Sequence, residues 1–202
     1  MIEQIAPFLL ASILLTLSPG PDILYVLIKS LQSGRSAGIV LSLGLVTGII
    51  IHTVLVASGV SAVILASEIL FLGVKVFGAL YLVYLSWRVF KQPARINLDR
   101  NAPQERTTAL FRRGFIMNVL NPKVSIFFLA FFPGFLWDDS ANTFGQIIVL
   151  GVIFMVQAFI IFSLVSVFAG SLAKFLKKDY VALFLKHLQI LLFLGIAVYL
   201  FL

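Results

Sequence analysis

The stretch A-P-F-L-L-A-S-I-L-L-T-L-S-P-G-P-D-I-L-Y-V-L-I, residues 6–28, decides the fold class. Its flanks are predominantly apolar, and about 20 such residues are what a helix needs to cross about 30 Å of hydrocarbon. No water is available there to pair the backbone, so a block this long folds as a helix. Its centre breaks that helix. Pro19 and Pro21 have no N–H, so the carbonyls of Leu15 and Leu17 lose their usual partners, and Gly20 weakens the helix further. Ser18 before Pro19 has the form of a new helix start, a side-chain cap followed by proline in the first turn. At a rise of about 1.5 Å per residue, the break sits roughly halfway across the bilayer. Asp22 follows directly. A carboxylate there costs about 2.5–3.5 kcal/mol even on the lenient insertion scale.

Similar apolar blocks follow at Ile39–Leu65, Ile69–Val89, Phe115–Trp137, Phe144–Ala169 and Ala182–Leu202. The sequence therefore predicts an all-α integral membrane protein of six transmembrane helices, a single transmembrane domain over residues 1–202. Composition agrees: 61% of residues are hydrophobic, 11% are charged and the mean hydropathy is +1.11. A soluble domain is about half apolar and about a quarter charged. The first block begins after Glu3 with no lysine or arginine and exceeds a signal peptide's apolar core, so it reads as a retained helix.

Charge placement orients the chain. Lys29 and Arg35 lie in the first loop; Arg88, Lys91, Arg95, Arg100, Arg106, Arg112 and Arg113 in the third; Lys174, Lys177, Lys178 and Lys186 in the fifth. The second and fourth loops hold only Glu68, Asp138 and Asp139. All but two of the 15 basic residues thus face one side, the exceptions being Lys75 and Lys123 inside spans. The positive-inside rule makes the odd loops cytoplasmic and puts both termini outside. The net charge of +7 lies between apolar blocks rather than on a folded basic surface, so nucleic acid is not an expected partner. With no cysteine, disulfides, thiol redox chemistry and thiolate metal sites are excluded.

The polar stretch 91–113, broken by Pro93 and Pro103, reads as a cytoplasmic linker between halves of about 1–90 and 111–202. Shifting by 103 residues lays F-L-L-A-S-I-L-L-T-L-S-P (8–19) over F-R-R-G-F-I-M-N-V-L-N-P (111–122), matching Phe8, Ile13, Leu17 and Pro19 to Phe111, Ile116, Leu120 and Pro122. Three spans per half turn the second copy upside down, an inverted 3+3 repeat with proline-broken first and fourth helices.

The fourth span carries the matching feature. Asn121 and Pro122 repeat the cap-then-proline pattern, Pro122 frees the carbonyl of Asn118, and Lys123 follows. Broken helices at corresponding places in two halves point to a transporter's binding site, because new helix starts present unpaired N–H groups and a positive dipole end. Two ordinary packing kinks are the plain alternative. An opposite intramembrane charge beside each break favours a site.

His52, near the middle of the second span, has an ordinary pKa of about 6.5 and is a proton-relay candidate; a histidine hydrogen-bonded to a neighbouring helix is the more frequent arrangement. Gly44 and Gly48 form G-x-x-x-G, which lets helices approach closely, and Lys75 is placed to snorkel outward. Gln157, Ser163 and Ser166 give the fifth span a polar side.

Asp22 is the only acid well inside a span, and H-E-x-x-H, G-x-S-x-G and G-x-x-x-x-G-K-[ST] are absent. An intramembrane enzyme or a phosphate-cradling pump is therefore disfavoured: no catalytic residue, cofactor or bound metal is expected. A metal-ion or other small-solute exporter, or a channel, remains an alternative with the same six-helix plan, although its metal ligands would be few.

Several motifs in order, L-S-P-G-P-D at 17–22, G-R-S-A-G at 34–38, Gly44 with Gly48, G-V-S-A at 59–62, F-G-A-L-Y-L at 77–82, N-x-x-N-P-K at 118–123 and F-F-P-G-F at 131–135, resemble the lysine exporter / homoserine–threonine exporter (LysE/RhtB) family. The resemblance covers nearly the whole chain. It implies a bacterial inner-membrane exporter of amino acids driven by the proton gradient, on a pattern similar to the neutral-amino-acid branch. The partners it implies are an amino-acid substrate, protons and membrane lipid, with a homo-oligomer left open.

On that footing Ser18, Asp22, Asn118, Asn121 and Lys123 are the substrate-binding candidates, Pro19, Gly20, Pro21 and Pro122 the helix-breaking residues, and Asp22 and His52 the proton-coupling candidates. Asp22 would take a substrate ammonium, and Lys123 with the helix starts a carboxylate. The unoccupied site would close by pairing the two charges; a permanent structural ion pair is the alternative.

Overall fold

The computed structural model describes residues 2–18, 20–60, 67–91, 105–137, 143–176, 178–199 and 201. The expectations resting on Pro19, Ser61 and Ala62, Arg95, Arg100, Pro93, Pro103, Asp138, Asp139 and Lys177 lie outside them. All described regular structure is helical. In chain order the helices are α1 Ile2–Leu17, α2 Pro21–Ser33, α3 Arg35–Leu55, α4 Glu68–Lys91, α5 Thr107–Val119, α6 Pro122–Ile126, α7 Thr143–Val167, α8 Ala169–Leu176 and α9 Asp179–Tyr199. A π turn at Val56–Val60 prolongs α3; a second at Phe127–Phe131 and a 3-10 turn at Phe132–Phe135 follow α6.

Two of these runs, Arg35–Ser58 and Thr143–Val167, are unbroken, long and apolar enough to cross a membrane. The α1–α2 pair makes a third candidate when taken as one span, bent by 55°. That first span is longer than its apolar block, because α2 runs on to Ser33 and ends at Gly34. Gly34, at φ 86°, holds the one left-handed backbone among the described residues and lets the chain reverse into α3. At the other half's start, α5 begins at Thr107, inside the stretch read as linker.

Side-chain size decides how the halves meet. Helices α3 and α5 pack backbone against backbone. A Cβ on Gly44 would overlap the Phe111 carbonyl, and one on Gly114 would overlap the Leu41 carbonyl, so each backbone leans on the other's glycine. Gly48 leaves space for the side chain of Asn118. The close approach expected of G-x-x-x-G is therefore present.

Phenylalanines fill the space beyond the second break. Phe8 of α1 meets Phe132 and Phe135 edge-on at 5.3 and 5.4 Å, and Phe128 stacks on Phe132 at 4.6 Å. Such pairs add about 0.5–1.5 kcal/mol each beyond their buried area. Elsewhere, α4 and α9 pack against each other and expose Phe77, Trp87, Phe90, Phe184 and Leu191.

Candidate functional site

The two helix breaks meet, and they do so through side chains from opposite halves. At the second break the predicted cap is present: Asn121 Oδ1 accepts from the Lys123 backbone N–H at 3.0 Å, with Pro122 in the first turn of α6. The same amide crosses to the first half, where its Nδ2 donates to Asp22 Oδ2 at 2.7 Å.

The first break differs from expectation. Ser18 does not cap the new helix; its backbone N–H closes α1 on Leu14 O at 2.9 Å, and its hydroxyl is buried with no hydrogen-bond partner. Gly20 is the N-cap, fully extended, with Pro21 as the first helical residue. With a second proline at 21, the helix start moves to the position where proline's missing N–H is harmless.

Lys123 fills the gap this leaves. Its ammonium donates to Leu15 O at 2.6 Å and Ser18 O at 3.0 Å, and it lies 5.9 Å from the centre of the Phe193 ring. A Cβ on Gly20 would sit 3.6 Å from that nitrogen. The cation therefore caps the C-terminal end of α1, where unpaired carbonyls and the negative dipole end favour it. Asp22 and Lys123 do not form the ion pair expected for a closed site. The carboxylate is held by Asn121 and the ammonium by backbone carbonyls, so the two charges are bridged and not joined.

His52 answers the carbonyl freed by Pro122: its Nε2 lies 3.2 Å from Asn118 O, with the ring 5.6 Å from Phe128. It is buried on the α3–α5 seam and does not line the cleft described below. Gln157 of α7 reaches across to α1, donating to Thr16 Oγ1 at 3.0 Å and Ser12 O at 3.4 Å.

One cleft gathers the predicted residues. Ser18, Gly20, Pro21, Asp22, Asn118, Asn121 and Lys123 line it on the polar side, and Ile49, Phe154, Ala158 and Phe162 on the apolar side. The space a water centre can reach inside it is about 20 Å³, room for about one water. An amino acid needs the walls to part. Three oxygens along it, Ser18 Oγ, Asp22 Oδ1 and Asn118 Oδ1, are buried without partners. Two of them belong to a carboxylate and an amide carbonyl, which only accept, so the cleft is short of donors. A ligand bringing N–H or O–H groups matches that shortage.

A second cluster was not anticipated. On α2, Asp22, Tyr25 and Lys29 follow at intervals of three and four and share one face. Lys29, expected in a solvated loop, is only 2% exposed and meets Glu105 Oε1 at 2.5 Å. Arg113 reaches Glu105 Oε2 at 3.1 Å, donates to the Tyr25 hydroxyl and lies 5.7 Å from the centre of its ring. The spacing 22, 25, 29 was the available signal; the partners come from residues about 80 positions away.

Paired helix breaks with a carboxylate and an ammonium beside them are the arrangement expected of a membrane translocator. The chain belongs to the LysE type translocator family, whose pattern it matches over residues 13–202. It is similar to the homoserine/homoserine lactone efflux proteins of Salmonella typhimurium (31% identical over 170 residues, 84% of this chain and 82% of the relative) and Salmonella typhi (32%, the same coverage). An uncharacterized membrane protein of Bacillus subtilis is 32% identical over 154 residues, 72% of this chain and 73% of that one. No solved structure matches the chain.

Proposed function

We propose that this protein is a secondary active exporter of amino acids, neutral and homoserine- or threonine-like, coupled to protons across the bacterial inner membrane. The observation that carries the reading is the meeting of both helix breaks at one cleft through the contacts of Asn121 with Asp22 and of Lys123 with Leu15 and Ser18. The homoserine efflux relatives support the substrate class.

Six spans in two inverted halves, with both termini outside, complete the proposal. The packing supports it: α5 against α3 and α7 against α1 are the contacts that an exchange of the halves interconverts, and α3 with α7 and α4 with α9 are the contacts it leaves in place.

Asp22 receives the substrate ammonium, with Asn118 and Ser18 supplying further acceptors. The carboxylate goes to the start of α2 and to Lys123, which gives up a carbonyl partner to take it. Asp22 is also the first candidate for the coupling proton and His52 the second. Proton and ammonium then compete for one carboxylate, which is what antiport requires.

The test uses purified protein in liposomes with labelled homoserine, threonine and other amino acids, with and without an imposed pH gradient. Gradient-dependent transport of one or a few, lost in Asp22→Asn, is the expected result. Full gradient dependence in Asp22→Asn would remove the coupling role. No transport by folded protein would remove amino acids as cargo and send the search to ions.

A further inference from the structure

The geometry points to the Tyr25–Arg113–Glu105–Lys29 cluster as the cytoplasmic gate of the transport path, an ionic latch between the halves. Tyr25 and Lys29 belong to α2 in the first half, Arg113 to α5 and Glu105 to the segment just before it. The charge asymmetry of the loops puts this end of α2 on the cytoplasmic side. Lys29 lies seven residues beyond Asp22 on the same helix face, about 10 Å along the axis. The cluster thus closes the route between the carboxylate and the cytoplasm.

Its chemistry suits a two-state closure. A buried ammonium next to a carboxylate is tolerable when paired and costly when the partner leaves without water arriving. Parting α2 from α5 therefore has to admit water to the buried Lys29 ammonium at the same moment, while Arg113, half-exposed at the rim, already meets solvent. The Tyr25 hydroxyl and ring fix Arg113, and Arg113 in turn holds Glu105 facing Lys29. On the other side of the cleft, Phe8 meets Phe132 and Phe135 by apolar contact. An exporter loading from the cytoplasm must break the latch first.

The natural chain has no cysteine, so one introduced thiol reports access without interference. Ala158→Cys places it in the cleft wall. Inside-out and right-side-out membrane vesicles are treated with a membrane-impermeant, positively charged methanethiosulfonate, and the labelling rate is followed from each side. Adding Glu105→Gln is expected to raise the rate from the cytoplasmic side by about tenfold, a fraction of what breaking a buried pair costs. The rate from the other side should stay level or fall. Tyr25→Phe, which removes one hydroxyl and leaves the packing, should give a smaller rise on the same side.

A cytoplasmic rate unchanged in both variants, with wild-type melting temperatures, would overturn the gate, as would equal rises from both sides. This role rests on the chain being a transporter. The labelling needs no substrate, so failed amino-acid transport with side-selective labelling would strike the cargo and spare the gate.

Discussion

Asn121 holds Asp22 across the interface between the halves: its Nδ2 donates to Asp22 Oδ2 at 2.7 Å while its Oδ1 caps α6 through the Lys123 N–H. One amide thus orients the buried carboxylate and starts the helix that carries the buried ammonium. In the proposed transport cycle, a proton or substrate ammonium competing for Asp22 pulls on the α6 cap at the same time.

Asn121→Ala should therefore cost more transport than stability. Losing the cap removes about 1 kcal/mol. Losing the donor to a carboxylate removes about 1.5–3 kcal/mol, which is about 10- to 100-fold in any step that depends on it. Export assays beside detergent melting curves separate the two; equal loss of folding and transport would reduce Asn121 to a structural role.

Asp22→Asn and Lys123→Gln should each nearly abolish export, and the double variant should fall no further. Both charges serve one cleft, so their effects are coupled. Multiplicative defects in initial export rates would mean two independent sites. Lys123→Gln should also lower the melting temperature more than Asp22→Asn, since it uncaps Leu15 O and Ser18 O.

Gly44→Ala and Gly114→Ala should reduce the yield of folded protein and destabilise it by about 1–3 kcal/mol, because each new methyl meets a carbonyl of the facing helix. Gly73→Ala and Gly195→Ala are the controls. A Cβ meets nothing within 4 Å at either position, so both should match or exceed wild-type stability. Melting temperatures of the four variants, measured side by side, check the contrast.

His52→Gln keeps a side-chain N–H able to reach Asn118 O, so a structural hydrogen bond survives it. Export should then retain its dependence on the pH gradient, with a change in rate of about threefold or less, in line with the roughly 0.6 kcal/mol such membrane bonds average. Export that runs but no longer responds to the gradient would make His52 the proton relay.

The sequence by itself determined the helical membrane class, the break at Ser18–Asp22 and the cap at Asn121. Each follows from chemistry confined to a few neighbouring residues: a run of apolar side chains, a missing proline N–H, an amide one residue before a proline. It also named Ser18, Asp22, Asn118, Asn121 and Lys123, which line one cleft, but not Thr16 beside them.

What each charge touches was decided by tertiary structure. Asp22 and Lys123 looked like partners because opposite charges in hydrocarbon attract. In the fold, Lys123 lies between the carbonyl of Leu15, orphaned by Pro19, and that of Ser18 at the end of α1, and these compete with the carboxylate for its protons. Lys29 read as a loop charge because the apolar block ended at Ile28. The helix continues past it, and only the arrival of Glu105 from the segment before α5 makes its burial tolerable. Ser18 lost its capping role to Gly20 because the second proline moved the helix start. Local rules carry no information about which distant backbone or carboxylate will reach a buried charge; packing of the two halves supplies it.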